Sequence, residues 1–261
     1  PIFLQQLRQR LPAALQLGIT ALPAWIGSPA LPGVLQQADS SVLQVHAVLS
    51  PQQGLFDGSL ALRWVRQYAS VTPKPFRVAL PAYGMALLGF DAQGAQVESE
   101  SSLRVAGNGR ELTVAPQQIA DFLQTLAQQT PPQLRGIIWF RLPLADDRRA
   151  WSLATLRAVI ERQPLNVDWQ VKFRPQPQQN GLYDLIIHNN GPVDAPLPQE
   201  VAIRADDCLA ADAVGNYRLE SAPQRQRFIR ISGDQLRAGQ SRPLGWLRCQ
   251  QLTPGGTLVT P

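Results

Sequence analysis

Apolar residues recur at helical and at alternating spacings in turn along the first part of this chain, and a different pattern replaces them after Pro164. Residues 2–11 carry Phe3, Leu4, Leu7 and Leu11 on one helical stripe, which Pro12 ends. Residues 15–26 read as a strand closing on Trp25. A short helix over 31–38 leads to a strand over 41–48, with Val42, Gln44, His46 and Val48 on one face and Leu43, Val45 and Ala47 on the other. A helix over 59–70 and a strand over 76–83 follow. Residues 85–114 break the rhythm: paired strands with turn signals at Ala92-Gln93-Gly94 and Asn108-Gly109 mark an insertion. A helix over 116–129 ends at Pro131-Pro132. Then come a strand over 136–142 and a helix over 152–163. In that last strand Ile137, Trp139 and Arg141 alternate with Ile138, Phe140 and Leu142.

Four strand–helix units in a row, with near-continuously apolar strands, predict a parallel sheet covered on both faces. They amount to half of an eight-fold barrel, whose chemistry sits in the loops after the strands. A small open α/β sheet is the alternative. After Pro164, short alternating segments at 166–174, 182–188, 200–204, 227–232 and 244–249 are separated by Gly, Pro, Asn and Asp. That spacing predicts an Ig-like β-sandwich. The expected fold class is thus α/β plus all-β. Residues 1–164 form the C-terminal half of a TIM-like (β/α)8 barrel with an inserted hairpin region at about 85–115, and 165–261 form the sandwich. Half a barrel leaves apolar strand edges near 18–25 and 136–142, which an upstream barrel half or a second copy must cover.

Charge changes this picture little. The formal net charge is +5, but only 16% of the 261 residues are charged, and the arginines are scattered. Nucleic acid is not an expected partner. No apolar run is long enough to span a bilayer. Cys208 and Cys249 both fall in the β region. They are either a disulfide, pointing to an oxidising compartment, or two buried thiols. With His188 the only histidine in that region, a metal site there lacks ligands. HExxH, P-loop, GxGxxG and GxSxG motifs are absent, and no cofactor is expected.

The polar and aromatic residues at the predicted strand ends are Trp25, Gln44, His46, Tyr83, Trp139 and Arg141, with Asp57, Asp146 and Asp147 in the loops. Gln and His are unusual on the inward face of a buried strand. Flat rings beside convergent polar groups suit a sugar: the rings cover its apolar faces and the polar groups bind its hydroxyls. Trp25 and Trp139 are equally readable as packing residues. Asp146 and Asp147 are equally readable as a helix cap or as partners of Arg148 and Arg149. Glycoside hydrolysis needs two acids, or one acid assisted by the substrate. No glutamate follows a predicted barrel strand: Glu98, Glu100 and Glu111 lie in the insertion and Glu161 on a helix.

The run GIIWFRLPLADDRRAWSLATLRAVI, preceded by LGITALPAWI and SVLQVHAV, resembles a bacterial family of uncharacterised proteins, domain-of-unknown-function family 3142. The resemblance extends through the tail containing RPLGWLRC. It implies a longer protein, whose upstream part supplies the first barrel half and an acidic strand-end motif. The chain also resembles chitinase-type glycoside hydrolase barrels. Gln44 and His46 fall at the sixth strand, and Leu80-Pro81-Ala82-Tyr83-Gly84 matches the LPxYG of the seventh, which an inserted piece follows. Trp139 falls at the eighth strand, where a tryptophan floors the sugar site. Gln44-Val45-His46 stands in place of that family's tyrosine–aspartate pair.

The resemblances imply a periplasmic or secreted protein that binds glycans or resembles a glycoside hydrolase, with a polysaccharide or oligosaccharide as partner. The barrel is either catalytic or retained for binding. Trp139 would be the sugar platform, Gln44, His46 and Tyr83 the hydrogen-bonding groups, and Arg141 with Asp146 or Asp147 the rim. The alternative is a non-catalytic scaffold whose sandwich binds another envelope component.

Overall fold

The computed structural model describes residues 2–50, 52, 54–98, 109–144, 147–233, 235–252 and 257–260. They form a mixed α/β chain with several sheets. The chain divides into two compact units, Pro1–Leu153 and Ala154–Pro261. The division falls just after the first residue of the last helix, whereas the boundary expected from sequence follows that helix, at Pro164.

In the first unit, α1 (Ile2–Arg10) precedes β1 (Gly18–Ala21), α2 (Leu31–Gln37), β2 (Ser40–Gln44), α3 (Gly58–Val71) and β3 (Phe76–Pro81). Then come β4 (Met85–Asp91), β5 (Gly94–Glu98), β6 (Arg110–Leu112), α4 (Pro116–Gln128) and β7 (Leu134–Phe140). β1, β2, β3 and β7 form a parallel sheet in that order, each strand laid beside the one before it. β4, β5 and β6 make a separate antiparallel sheet, β5-β4-β6, so the insertion is an element of its own. The turn at Ala92-Gln93 is present. The expected turn at Asn108-Gly109 lies partly outside the described residues, as does Glu100.

α3 packs on one face of the parallel sheet. α3 buries Ala61, Val65 and Tyr68, one stripe at helical spacing. Its N-cap is Asp57, whose carboxylate accepts the Leu60 N–H at 2.8 Å. Asp57 is therefore engaged as a helix cap. Tyr68 donates its hydroxyl to Ser41 Oγ at 2.8 Å and meets Phe76 edge-on, locking α3 onto β2 and β3. α4 buries Ile119, Phe122 and Leu126, and Phe122 meets Phe56 edge-on. The strand expected over 15–26 is cut to Gly18–Ala21, because Pro23 has no N–H for the ladder and starts a 3-10 turn, Pro23–Trp25.

The second unit takes in nearly all of α5 (Leu153–Ile160) and continues with β8 (Trp169–Pro175), β9 (Leu182–Asn189), β10 (Ala195–Pro196) and β11 (Glu200–Ala213). Next are β12 (Tyr217–Ala222), β13 (Arg225–Arg230), β14 (Gln235–Leu236), β15 (Ser241–Leu252) and β16 (Leu258–Thr260). The main sheet has the order β12-β13-β11-β15-β9-β8, with β16 also on β11, and β10 pairs β14 apart from it. The first half of β11 pairs β13 and β16, and the second half pairs β15. Leu185 and Ile187 on β9 share one buried cluster with Val201 and Ile203 on β11 and Phe228 on β13. Strands distant in the sheet order thus enclose a common core. Cys208 and Cys249, directly opposed on β11 and β15, are joined by a disulfide.

Candidate functional site

The carboxyl ends of β2, β3 and β7 lie side by side. Gln44 pairs with Ala79, and Ala79 with Ile138, so these three share the face opposite α3. Alternation sends Phe140 on β7 to that same face, and His46, just past the end of β2, meets it there. Tyr83, just past β3, joins them. The rings of His46, Tyr83 and Phe140 form a mutual cluster, with centroids 5.9, 5.8 and 5.3 Å apart. His46 and Tyr83, with Gln44, line a cavity of about 270 Å³. Its apolar wall includes Leu55, Met85, Ala95 and Val97, the last three from the inserted sheet.

His46 is 2% exposed. Burial drives its pKa from 6.5 down to about 4, against a hydrogen bond to the Ala79 backbone that favours the charged form. The ring is therefore neutral at neutral pH, with one donor and one acceptor nitrogen. Its Nδ1 is buried and has no partner among the described residues. Nδ1 thus faces no group among these residues that could bond it. Gln44 donates its amide N–H to the His46 carbonyl at 3.1 Å, fixing the turn out of β2. Burial also raises the Tyr83 pKa, opposed by the Arg141 charge, so the phenol stays protonated.

Arg141 lies over the Tyr83 ring, 5.7 Å from its centroid. Its Nε donates to Asp147 Oδ2 at 2.6 Å. The other Asp147 oxygen accepts the backbone N–H groups of Arg149 and Ala150 at 3.0 and 3.1 Å. Burial pushes the Asp147 carboxyl up, but the Ala150 and Arg149 N–H groups and Arg141 together outweigh it and hold the pKa below its usual value. Asp147 is thus an ionised anchor for the loop after β7. That loop folds back on the end of β3: Gly84 N–H donates to Arg149 O at 2.7 Å, and Trp151 N–H to Ala82 O at 2.9 Å.

The structure brings Gln44, His46, Tyr83, Arg141 and Asp147 into one neighbourhood. Trp139 does not join it. It lies on the helix-covered face of β7, level with Leu80, and its ring meets Trp151 at 6.5 Å. β7 sends Phe140 to the cluster instead, with 48% of its surface exposed. Trp25 sits on the 3-10 turn, 39% exposed, with no ring contact to the cluster among the described residues. Asp146 lies outside the described residues. Phe140 and Met85 were not singled out in the sequence. The alternation of β7 was legible there, but nothing local says which face meets the site.

A family described as a domain of unknown function, DUF3142, matches residues 1–145. The chain belongs to this family. A second domain of unknown function, DUF8456, matches residues 172–250. No curated protein matches the chain. Among solved structures, a chitinase from Bacillus thuringiensis is similar at 10% identity and a TM-score of 0.38, over 99% of this chain and 69% of that one. A family GH18 chitinase from Chromobacterium violaceum is similar at 14% identity and a TM-score of 0.36, over 98% of this chain and 63% of that one. A beta-glucosidase from Listeria innocua is similar at 12% identity and a TM-score of 0.19, over 93% and 41%.

Proposed function

We propose that the cavity at the ends of β2 and β3 binds an uncharged sugar ring, on the inner face of a partial TIM-like barrel, and that the second unit is an Ig-like sandwich. The observation that carries this reading is the neutral, buried His46 with its unpartnered Nδ1 beside a half-exposed Phe140 ring. A buried ring nitrogen without a partner is costly, and a ligand hydroxyl would satisfy it. Phe140, against the His46 and Tyr83 rings but outside the cavity lining itself, would offer an aromatic face to a sugar that extends beyond the cavity. Gln44 and the Tyr83 phenol add neutral polar groups.

Asp147, beside the Tyr83 ring through Arg141, is committed to Arg141 and two backbone N–H groups, and Glu98, next to the cavity wall, is committed to Arg149. On this chain's own described residues the arrangement therefore suits binding, and hydrolysis would require acids supplied from elsewhere. The disulfide Cys208–Cys249 supports a periplasmic or extracellular setting, since such bonds persist in oxidising compartments.

Binding is tested with insoluble cellulose, chitin and peptidoglycan in a pull-down, alongside thermal melting. The parent chain should be retained on at least one of them. His46→Leu and Phe140→Ala should each weaken retention by roughly ten-fold, in line with the loss of one hydrogen bond or one stacking face. Retention of none by the parent, or equal retention of parent and both variants, would remove this reading.

A further inference from the structure

The inserted sheet supplies three of the residues lining the cavity, and one side chain from outside that sheet grips it. Arg149, on the loop after β7, makes an ion pair with Glu98 at the end of β5. Its Nη2 and Nε donate to Glu111 on β6 at 2.9 and 3.2 Å. One guanidinium fork thus spans both outer strands of the inserted sheet. Its own backbone is fixed twice over, by Asp147 on its N–H and by Gly84 N–H on its carbonyl. Gly84 is itself at a close approach: a Cβ there would lie 2.6 Å from the Leu112 carbonyl oxygen. Glu98 is the neighbour of Val97, and its Oε1 is buried without a partner among the described residues. Arg149 is therefore what neutralises a largely desolvated carboxylate one residue from the cavity wall.

We infer that Arg149 is a positioning residue for the cavity: through Glu98 and Glu111 it sets where the Met85–Val97 wall stands, and so the size of ring the cavity accepts. The size consequence rests on the glycan reading above; the positioning does not. A lysine at this place keeps the charge but reaches one carboxylate at a time, so it should hold the wall less firmly.

Met85 makes a direct test, because it is the chain's single methionine and lies in the wall. The full chain is labelled at the methionine methyl, and Met85 is followed by NMR together with amide hydrogen exchange. In Arg149→Gln the Met85 methyl signal should shift and broaden. Amides of β4 and β5 should exchange at least about ten-fold faster, with α3 amides unchanged. Arg149→Lys should fall between parent and Arg149→Gln. Adding Glu98→Gln to Arg149→Gln, which removes the stranded charge, should recover much of the protection. An unshifted Met85 signal with β4 and β5 exchange within two-fold of the parent would overturn the inference and leave the glycan reading standing. If α3 also loses protection in Arg149→Gln, the lysine variant decides by the same comparison. Titration with β-1,4-linked glucose and N-acetylglucosamine oligomers of two to six units gives the ligand side. The parent should discriminate by length, and Arg149→Gln should reduce that discrimination by about ten-fold. A parent that binds none of them counts against the glycan reading, while NMR and exchange still decide the positioning.

Discussion

His46 meets the Tyr83 ring directly and Asp147 reaches it through Arg141; both are buried, and they respond to acid in different ranges. The folded-state pKa of His46, about 4, lies below its ordinary 6.5, so the unfolded chain binds this proton first as pH falls. Stability from His46 is intact above pH 6.5 and is lost between 6.5 and 4, by about 3 kcal/mol in all. Asp147 is also held below its usual range, so its contribution is lost only at lower pH, below the ordinary carboxylate pKa. Chemical denaturation at pH 7 and pH 4.5 should therefore show a drop for the parent that His46→Leu lacks. Equal drops in both would assign the acid sensitivity to other groups. His46 and Gln44 were legible in the sequence because polar residues on the inward face of a strand break the expected apolar pattern. Phe140 was not, because an aromatic in a strand looks the same whether it packs against a helix or faces a cavity. The same ambiguity put Trp139 forward, and its place level with Leu80 on the helix side answers it.

At the level of elements, the long strands β11 and β15 hold the second unit together, and the disulfide closes 41 residues of chain between them. A cross-link over 41 residues restricts the unfolded chain by about 4 kcal/mol at 25 °C, less whatever strain the bond carries. Replacing both Cys208 and Cys249 by Ala should thus destabilise the second unit by roughly 2–4 kcal/mol and leave the first unit's transition unmoved. Urea unfolding followed by hydrogen exchange, unit by unit, reads both. A unit-two transition unmoved within about 0.5 kcal/mol would mean that the sheet's own packing carries it. The strands of the parallel sheet were legible because their apolar runs are nearly continuous. β12 was not: in YRLESA only Tyr217 is buried, as suits the last strand of a sheet with one face packed. β10, β14 and β16 span only two or three residues, too short for any period to show. β1 was overextended because apolar residues run on past Ala21, and the strand stops where Pro23 removes a ladder donor.

For the molecule as a whole, the switch in apolar spacing sets the expected boundary at Pro164, and the two compact units divide between Leu153 and Ala154, with the helix at the switch between these positions. α5 is apolar on the face that carries Leu156 and Val159, but a helical stripe does not say which sheet it will cover. The first unit leaves a question of the same kind at larger scale. Its parallel sheet carries α3 on one face, with α4 packed beside α3, while Ile138 and Phe140 on the other are 37% and 48% exposed. Parallel sheets are ordinarily covered on both faces. β1 and β7 are also its end strands, each with one neighbour among the described residues, so each presents a row of backbone donors and acceptors. Lysine, the residue that most often blunts such edges, occurs on neither strand. An apolar face and two pairing edges favour association with another chain. The 261-residue chain alone should therefore self-associate. Light scattering coupled to size exclusion, at concentrations from about 1 to 100 μM, should show mass rising above that of one chain. Ile138→Lys, which puts a charge on the uncovered face at the β7 edge, should shift the distribution toward the single chain without loss of helical signal. A parent chain that stays single across that range and melts in one cooperative step would show that its own loops suffice to close both edges.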